Sequence, residues 1–209
     1  MQTRRRQIED VASTLFSSRG YAATSMRDIA KALDLQGGSL YSHIPSKEAV
    51  LAAIVEEAAE EFHAAVRPIA ERPGPAPERL REMVAAHVRV VTGGRERAKV
   101  FLFEWTFLSE ERRAAVTRSR AAYQAYFKRV VAEGAAAGEL VAPDPELAAI
   151  FILSAMNAMA HWYRPDGPLD PDALAGRYAE LFLHGLQAGE RRQMRAGADK
   201  TADGKEERQ

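Results

Sequence analysis

Residues 24–51, TSMRDIAKALDLQGGSLYSHIPSKEAVL, constrain this chain more than any other stretch, because two short helices, a tight connection and the start of a third helix are packed into them. Met26, Ile29, Ala30 and Leu33 follow the i, i+3, i+4, i+7 spacing of one buried helix face. Thr24 and Ser25 offer hydroxyls to the free N–H groups of the first turn, and Asp28, three residues past Ser25, adds a favourable negative charge there. The run Asp34-Leu35-Gln36-Gly37-Gly38 interrupts the pattern and leaves Leu35 as a plug between helices set at a steep angle. A shorter helix is predicted from about Gly37 to His43, ending before Pro45, whose ring disfavours helical geometry at Ile44. The unit reads as a helix-turn-helix that docks on DNA.

On the short helix Leu40 and Ile44 turn inward, which leaves Gln36, Ser39, Tyr41, Ser42 and His43 for an outside surface. These side chains form hydrogen bonds and carry no acid. Gln pairs with adenine edges, Ser and His reach base edges or phosphates, and Tyr donates to phosphate. Ser46-Lys47-Glu48 opens the next helix and sets a cation and free N–H groups beside a possible phosphate. Arg4, Arg5 and Arg6 form a basic arm ahead of the first helix, suited to a phosphate backbone or the minor groove. The candidate DNA contacts are therefore Arg4, Arg5, Thr24, Ser25, Met26, Arg27, Gln36, Gly37, Gly38, Ser39, Tyr41, Ser42, His43 and Lys47. A small trihelical packing motif with a solvated polar face is the plainer alternative.

The flanking segments add the missing context. Ile8, Val11, Ala12, Leu15 and Phe16 make an amphipathic face before Gly20-Tyr21, and Leu51, Ile54, Val55, Ala58 and Phe62 continue beyond the unit. With Ala12, Phe16, Gly20-Tyr21, Thr24-Ser25, Ile29-Ala30, Gly38, Leu40-Tyr41, His43-Ile44 and Ser46-Lys47, the first quarter of the chain resembles the tetracycline-repressor (TetR) family of one-component transcriptional regulators. Gly37 departs from that pattern, standing where the family usually carries a side chain that helps to read bases. The resemblance implies an all-α fold. A three-helix DNA-binding domain over 1–50 would be followed by a helical ligand-binding and dimerisation domain over 51–189, whose last two helices pair with their copies in a homodimer. Twofold-related recognition helices would then enter successive major grooves of a double-stranded, palindromic operator.

Composition narrows the alternatives. Lys+Arg and Asp+Glu balance at 29 each among 209 residues, so the whole surface is not built to coat nucleic acid, although residues 1–50 hold seven bases against five acids. Without cysteine the chain has no disulfide, thiolate nucleophile or cysteine-ligated metal. The start lacks the apolar core of a secretion signal, and the longest uncharged stretch, Leu147 to His161, falls short of the about 20 apolar residues that span a bilayer. A cytoplasmic protein with no membrane partner is expected.

Beyond Arg72, Pro73-Gly74-Pro75-Ala76-Pro77 marks a hinge, and Leu80, Met83, Val84, His87, Val88 and Val91 rebuild a helical face up to Gly93-Gly94. The segment Val100–Leu108 is apolar nearly all round, which predicts a helix covered on most sides. A long helix from near Glu110 to Ala137 turns Val116, Tyr123, Phe127, Val130 and Val131 inward. Asp144-Pro145-Glu146 and Asp170-Pro171-Asp172 start two further helices, the first carried on to Trp162 and the second using Leu174, Tyr178, Leu181 and Phe182. The tail 190–209 is charged and poor in large apolar residues, so disorder is expected there.

The interior is rich in Met and aromatic residues, which line adaptable apolar cavities as readily as they fill a plain core. The candidate effector-binding set is Phe101, Trp105, Tyr123, Phe127, Met156, Asn157, Met159, Trp162 and Tyr163, whereas His87 and His161 read as core or boundary histidines. Asn157 to Leu169 with the following helix resembles the C-terminal domain of TetR-type repressors of fatty-acid, phenylacetate and steroid breakdown, whose inducers are acyl-CoA thioesters. A ligand-released repressor with such an effector is the expected function, with an efflux regulator sensing a drug-like molecule as the alternative. No catalytic residue, cofactor or metal is implied: HExxH, G-x-S-x-G, the P-loop and the dinucleotide turn are all missing. A helical adaptor would leave the basic arm and polar recognition surface without a role.

Overall fold

The computed structural model describes residues 3–35 and 40–186, and among them every regular element is helical. In chain order these are α1 (Arg4–Arg19), α2 (Met26–Ala32), α3 (Lys47–Glu71), α4 (Ala76–Gly93), α5 (Arg95–Lys99), α6 (Glu110–Ala136), α7 (Pro145–Asn157), α8 (Met159–Trp162) and α9 (Pro171–Leu186). A π-helical turn at Val100–Glu104 and a 3-10 turn at Trp105–Phe107 join α5 to α6. Of the short recognition helix, Leu40 and Tyr41 are helical, while Gln36, Gly37, Gly38 and Ser39, expected at its start, lie outside the described residues, as does the tail 190–209.

The helix starts follow the local chemistry. Ser25 accepts from the Asp28 N–H at 3.2 Å while the Asp28 carboxylate accepts from the Ser25 N–H at 2.8 Å, a complete capping box. Ser46 and Asp144 cap α3 and α7 in the same manner, accepting from the Ala49 and Leu147 N–H groups. Asp34 closes α2 in the left-handed region at φ 54, and the Leu35 N–H reaches back to the Ala30 carbonyl at 2.9 Å.

One apolar core runs the length of the molecule. Ile8, Ala12 and Phe16 meet Met26, Ile29, Leu40 and Ile44 at the N-terminal end, and Val50, Leu51, Ile54 and Val55 close that cluster from α3. The same helix continues into the larger body, where Phe62 and Val66 pack with Leu80, Met83 and Val84 of α4 and with Phe127, Val130 and Val131 of α6. α9 covers α4, and α7 lies on α6. Gly134 of α6 marks the tightest approach: a Cβ there would sit 2.7 Å from the Cβ of Ala76 and from a methyl of Leu140.

Two elements differ from expectation. The Val100–Leu108 segment is not a covered α-helix. Val100, Phe101 and Leu102 are buried, but the change from π to 3-10 winding turns Phe103 and Phe107 outward, with half of Phe107 exposed. Contacts from elsewhere in the chain account for both rings: Phe103 lies against His161 at 3.9 Å and Phe107 stacks on Tyr21 at 5.2 Å. The helix expected to run through Trp162 also breaks at Ala158, so Met159 and Ala160 stay buried while Trp162 is left 46 % exposed.

Leu147, Ile150 and Phe151 of α7 and Leu181 of α9 are exposed, with 61 % and 70 % of Leu147 and Leu181 in solvent. An edge-to-face contact at 5.9 Å between Phe151 and Phe182 brings these two helices together, so the exposed residues form one apolar face.

Candidate functional site

At the N-terminal end Arg27, Tyr41, Ser42 and His43 are exposed, Tyr41 by 55 %. They gather on the surface formed by α2 and the turn after Leu40, as the outward spacing of the short helix predicts. Other members of the predicted set are placed differently. Thr24 is buried, its hydroxyl donating to the Gly20 carbonyl at 3.0 Å, and Met26 belongs to the core. Ser25 is committed to its capping box. These side chains serve the fold because α1 turns into α2 there with no room to spare.

Lys47 also differs from the expected phosphate contact. Its ammonium donates to the carbonyls of Tyr21 at 3.0 Å and Thr24 at 2.8 Å and lies 4.2 Å over the Tyr21 ring, pinning α3 to the turn before α2. The basic arm is the first turn of α1 rather than a segment ahead of it, capped by Thr3. Arg4 donates to Gln7, Arg5 pairs with Glu9, and Arg6 pairs with Glu57 and Asp10.

The N-terminal head is tied to the rest of the molecule through α5 and the turns after it. Arg97 holds Asp10 of α1 at 2.6 Å and Glu61 of α3 at 3.1 Å, and Lys99 donates to the Ser17 carbonyl at 2.6 Å. The Glu104 carboxylate accepts from the Tyr21 N–H at 3.0 Å, next to the Phe107–Tyr21 stack. The segment 100–108 was expected as a covered helix, with Phe101 and Trp105 among the candidate effector residues. A π turn between two charged clusters is a recurrent mark of a functional site.

The other face of the same segment lines a cavity. About 350 Å³ in volume, it is bounded by Phe62 and His63 of α3, His87 of α4, Phe101 and Leu102 of the π turn, Ser119, Arg120, Tyr123 and Gln124 of α6, and Ile150, Ser154 and Asn157 of α7. Of the nine predicted effector residues, Phe101, Tyr123 and Asn157 line it, and Trp105 stands nearby within 5.6 Å of Arg120. Phe127, Met156, Met159 and Tyr163 are ordinary core, and Trp162 faces outward, because the break at Ala158 turns α8 away. Sequence reasoning missed Phe62, His63, Ser154 and Arg120. Arg120 had a signal: it falls four residues after Val116 and three before Tyr123, on the inward stripe of α6.

A second, outer groove of about 790 Å³ lies between α3 and α6, lined by Ala59, Ala64, Arg67, Arg112, Ala115 and Tyr126 among others. It shares Ala59, His63 and Ser119 with the inner cavity, so these residues form a common wall. Hydrogen bonds hold that wall together. Arg67 Nε donates to Tyr126 Oη at 3.1 Å, and the His63 ring links Tyr126 Oη, 3.3 Å from Nδ1, to the Ser119 carbonyl and hydroxyl, each 3.1 Å from Nε2. Burial lowers the His63 pKa, and the Arg67 charge adds to the effect. Deeper in, His87 is fully enclosed, with Nδ1 3.0 Å from Tyr123 Oη; burial pushes its pKa down to about 3 and raises that of Tyr123.

These features define a helical N-terminal head joined to a larger helical body that holds a cavity. Comparison with known proteins gives the class. Residues 8–54 match the family described as bacterial regulatory proteins, tetR family, and residues 73–186 match the family described as tetracyclin repressor-like, C-terminal domain. The transcriptional repressor KstR2 of Rhodococcus jostii is 28% identical over 192 residues, which cover 88% of this chain and 91% of that protein. A tetR-family regulatory protein from Rhodococcus RHA1 superposes with a TM-score of 0.84 at 32% identity, over 91% of this chain and 100% of the other. AibR, solved in complex with isovaleryl coenzyme A and operator DNA, matches at 27% identity with a TM-score of 0.79, over 87% of this chain and 98% of AibR. The chain belongs to the TetR family: it is a DNA-binding transcriptional regulator and not an enzyme. Among the described residues no helix is long and apolar enough to cross a membrane, and no cluster of His, Asp and Glu has the makings of a metal site.

Proposed function

We propose that this chain is a homodimeric repressor that acts in the cytoplasm, holds a palindromic operator through residues 1–50, and is released by an acyl-CoA thioester bound within 51–189. The observation that carries the effector class is the pairing of an inner cavity with an outer groove across the common wall of Ala59, His63 and Ser119. A thioester of coenzyme A has an apolar end and a long polyanionic end. Its acyl group suits the inner cavity, and its long polar end suits the groove, where Arg67 and Arg112 stand with Glu56 and Glu60 and offer the cations for its phosphates. The complex of AibR with isovaleryl coenzyme A, the fatty acid metabolism regulator protein of Bacillus subtilis and KstR2 support the same class.

The proposed operator contacts are Arg4, Arg5, Arg27, Tyr41, Ser42 and His43, joined by Gln36, Gly37, Gly38 and Ser39 from outside the described residues. The proposed dimer forms through the apolar face of α7 and α9, since Leu147, Phe151 and Leu181 find no cover among the described residues. Two heads spaced by about 34–36 Å then read one palindrome. An effector wedged between α3 and α6 bears on His63 and on Phe101, and both belong to elements that grip the head. A changed head separation no longer fits the grooves, and DNA and effector weaken each other by one common factor.

Replacing Tyr41 and His43 together by Ala tests the recognition surface in a gel shift with DNA from upstream of the protein's own gene. Operator binding is expected to disappear while the dimer persists in size-exclusion chromatography. Unchanged operator affinity would reject this surface.

A further inference from the structure

We infer that the acyl part of the effector carries its own carboxylate, received by Arg120 inside the cavity. The inference rests on the reading of that cavity as the effector site. Arg120 sits on the inward stripe of α6, with its guanidinium 5.6 Å from the ring centres of both Phe101 and Trp105. Nη1 is shut off from water and finds no hydrogen-bond partner among the described residues. The residues lining the cavity include no Asp and no Glu. Arg79 and Arg97, whose Nε atoms are likewise buried without a partner, each have an acid on another nitrogen: Arg79 pairs with Glu133 at 2.6 Å, and Arg97 with Asp10 and Glu61.

An arginine stays protonated even where burial lowers its pKa, as it does here, so the cavity wall holds a positive charge that no side chain balances. Two aromatic faces offset part of the lost hydration and favour a planar cation without neutralising it. A carboxylate does neutralise it, and matches the guanidinium fork with two parallel hydrogen bonds. Ser154 and Asn157 on the facing wall offer further polar groups, whereas Gln124 is already engaged with Glu146. A simple alkanoyl group would leave Arg120 unpaired in an apolar lining, an unfavourable arrangement for both. The chemical class that satisfies the cavity and the outer groove together is the mono-thioester of a dicarboxylic acid.

Calorimetric titration of the full-length protein with two matched pairs tests this. Adipoyl-CoA and hexanoyl-CoA differ only in a terminal carboxylate against a methyl; hexanoate and methyl hexanoate ask the same of the cavity without coenzyme A. Adipoyl-CoA is expected to bind at least tenfold more tightly than hexanoyl-CoA, equivalent to about 1.4 kcal/mol. Arg120→Met should erase that preference and Arg120→Lys should keep part of it, with thermal melts reporting that each variant is folded; Arg120→Gln replaces the Met variant if it is not. An Arg120-dependent preference for hexanoate with no binding of either thioester would uphold the carboxylate site and reject the acyl-CoA reading. Equal affinities within both pairs, no binding in either pair, or a preference that survives in Arg120→Met would overturn the inference, and equal affinities would leave release by hexanoyl-CoA standing.

Discussion

Single side chains here are occupied in ways that give each a measurable signature. His87 has a pKa of about 3 in the folded chain against an ordinary 6.5, because burial removes the hydration its charged form needs. As pH falls below 6.5 the unfolded chain takes up this proton first, so the stability that neutral His87 contributes is full above 6.5 and is lost progressively toward 3. The slope approaches about 1.4 kcal/mol per pH unit for one proton. His63, lowered in the same direction, adds to it. Urea unfolding at pH 7.5, 5.5 and 4.5 is expected to show this decline, and His87→Gln, which keeps a partner for Tyr123, should flatten it; an identical decline in the variant would remove His87 as its source. Lys47 gives a second test. With its ammonium committed to Tyr21, Thr24 and the Tyr21 ring, Lys47→Met should weaken operator binding by loosening the head while leaving the salt dependence unchanged. A phosphate contact would instead lower the slope of log K against log salt by about 0.9.

At the scale of elements, the proposed coupling runs through the join between α5 and α6. Phe101 lines the cavity, and six residues on Phe107 stacks on Tyr21 beside the Glu104 contact, so cavity and head meet on one short segment. Phe107→Ala should leave operator affinity and effector affinity within about threefold of wild type but shrink the factor by which one weakens the other, because a half-exposed ring contributes little to the fold. Titrations of DNA with and without effector measure that factor, and an unaltered factor would exclude this route. Local signals made most elements readable in advance. Ser25 with Asp28 marked the start of α2, Asp144-Pro145 the start of α7, and the stripe from Val116 to Val131 the inner face of α6. What escaped depends on partners distant in sequence. Nothing near Phe107 announces that Tyr21 will cover it, and Thr24 and Lys47 read as free polar groups until Gly20 and Tyr21 fold against them. The cavity was half legible: aromatic and amide side chains drew attention to Phe101, Tyr123 and Asn157, whereas Met156 and Met159 share that chemistry and are core. Arg120 was overlooked because a charged residue on an apolar stripe looks like an exception to the pattern, although it is the feature that distinguishes a site from a core.

The whole molecule brings these parts into one device. α3 passes from the core of the DNA-binding head to the wall shared by the cavity and the groove, and α7 carries both cavity residues and exposed apolar residues, Ile150 belonging to both sets. The proposed effector site, dimer face and DNA-binding head thus share a common set of helices. Leu181, with 70 % of its surface in solvent, reports on the dimer. Leu181→Glu should leave helicity unchanged but convert the species in sedimentation velocity from dimer to monomer, with a loss of operator affinity of at least about 100-fold, since a monomer engages a single half-site; a dimer of wild-type affinity would show that another surface pairs the subunits. The most direct test of the account is the coupling itself, read by anisotropy of a labelled duplex from upstream of the protein's own gene, with saturating acyl-CoA and without it. Operator affinity is expected to fall by at least about tenfold, and acyl-CoA affinity to fall by the same factor when the operator is present. An operator Kd that saturating acyl-CoA leaves unmoved would contradict it.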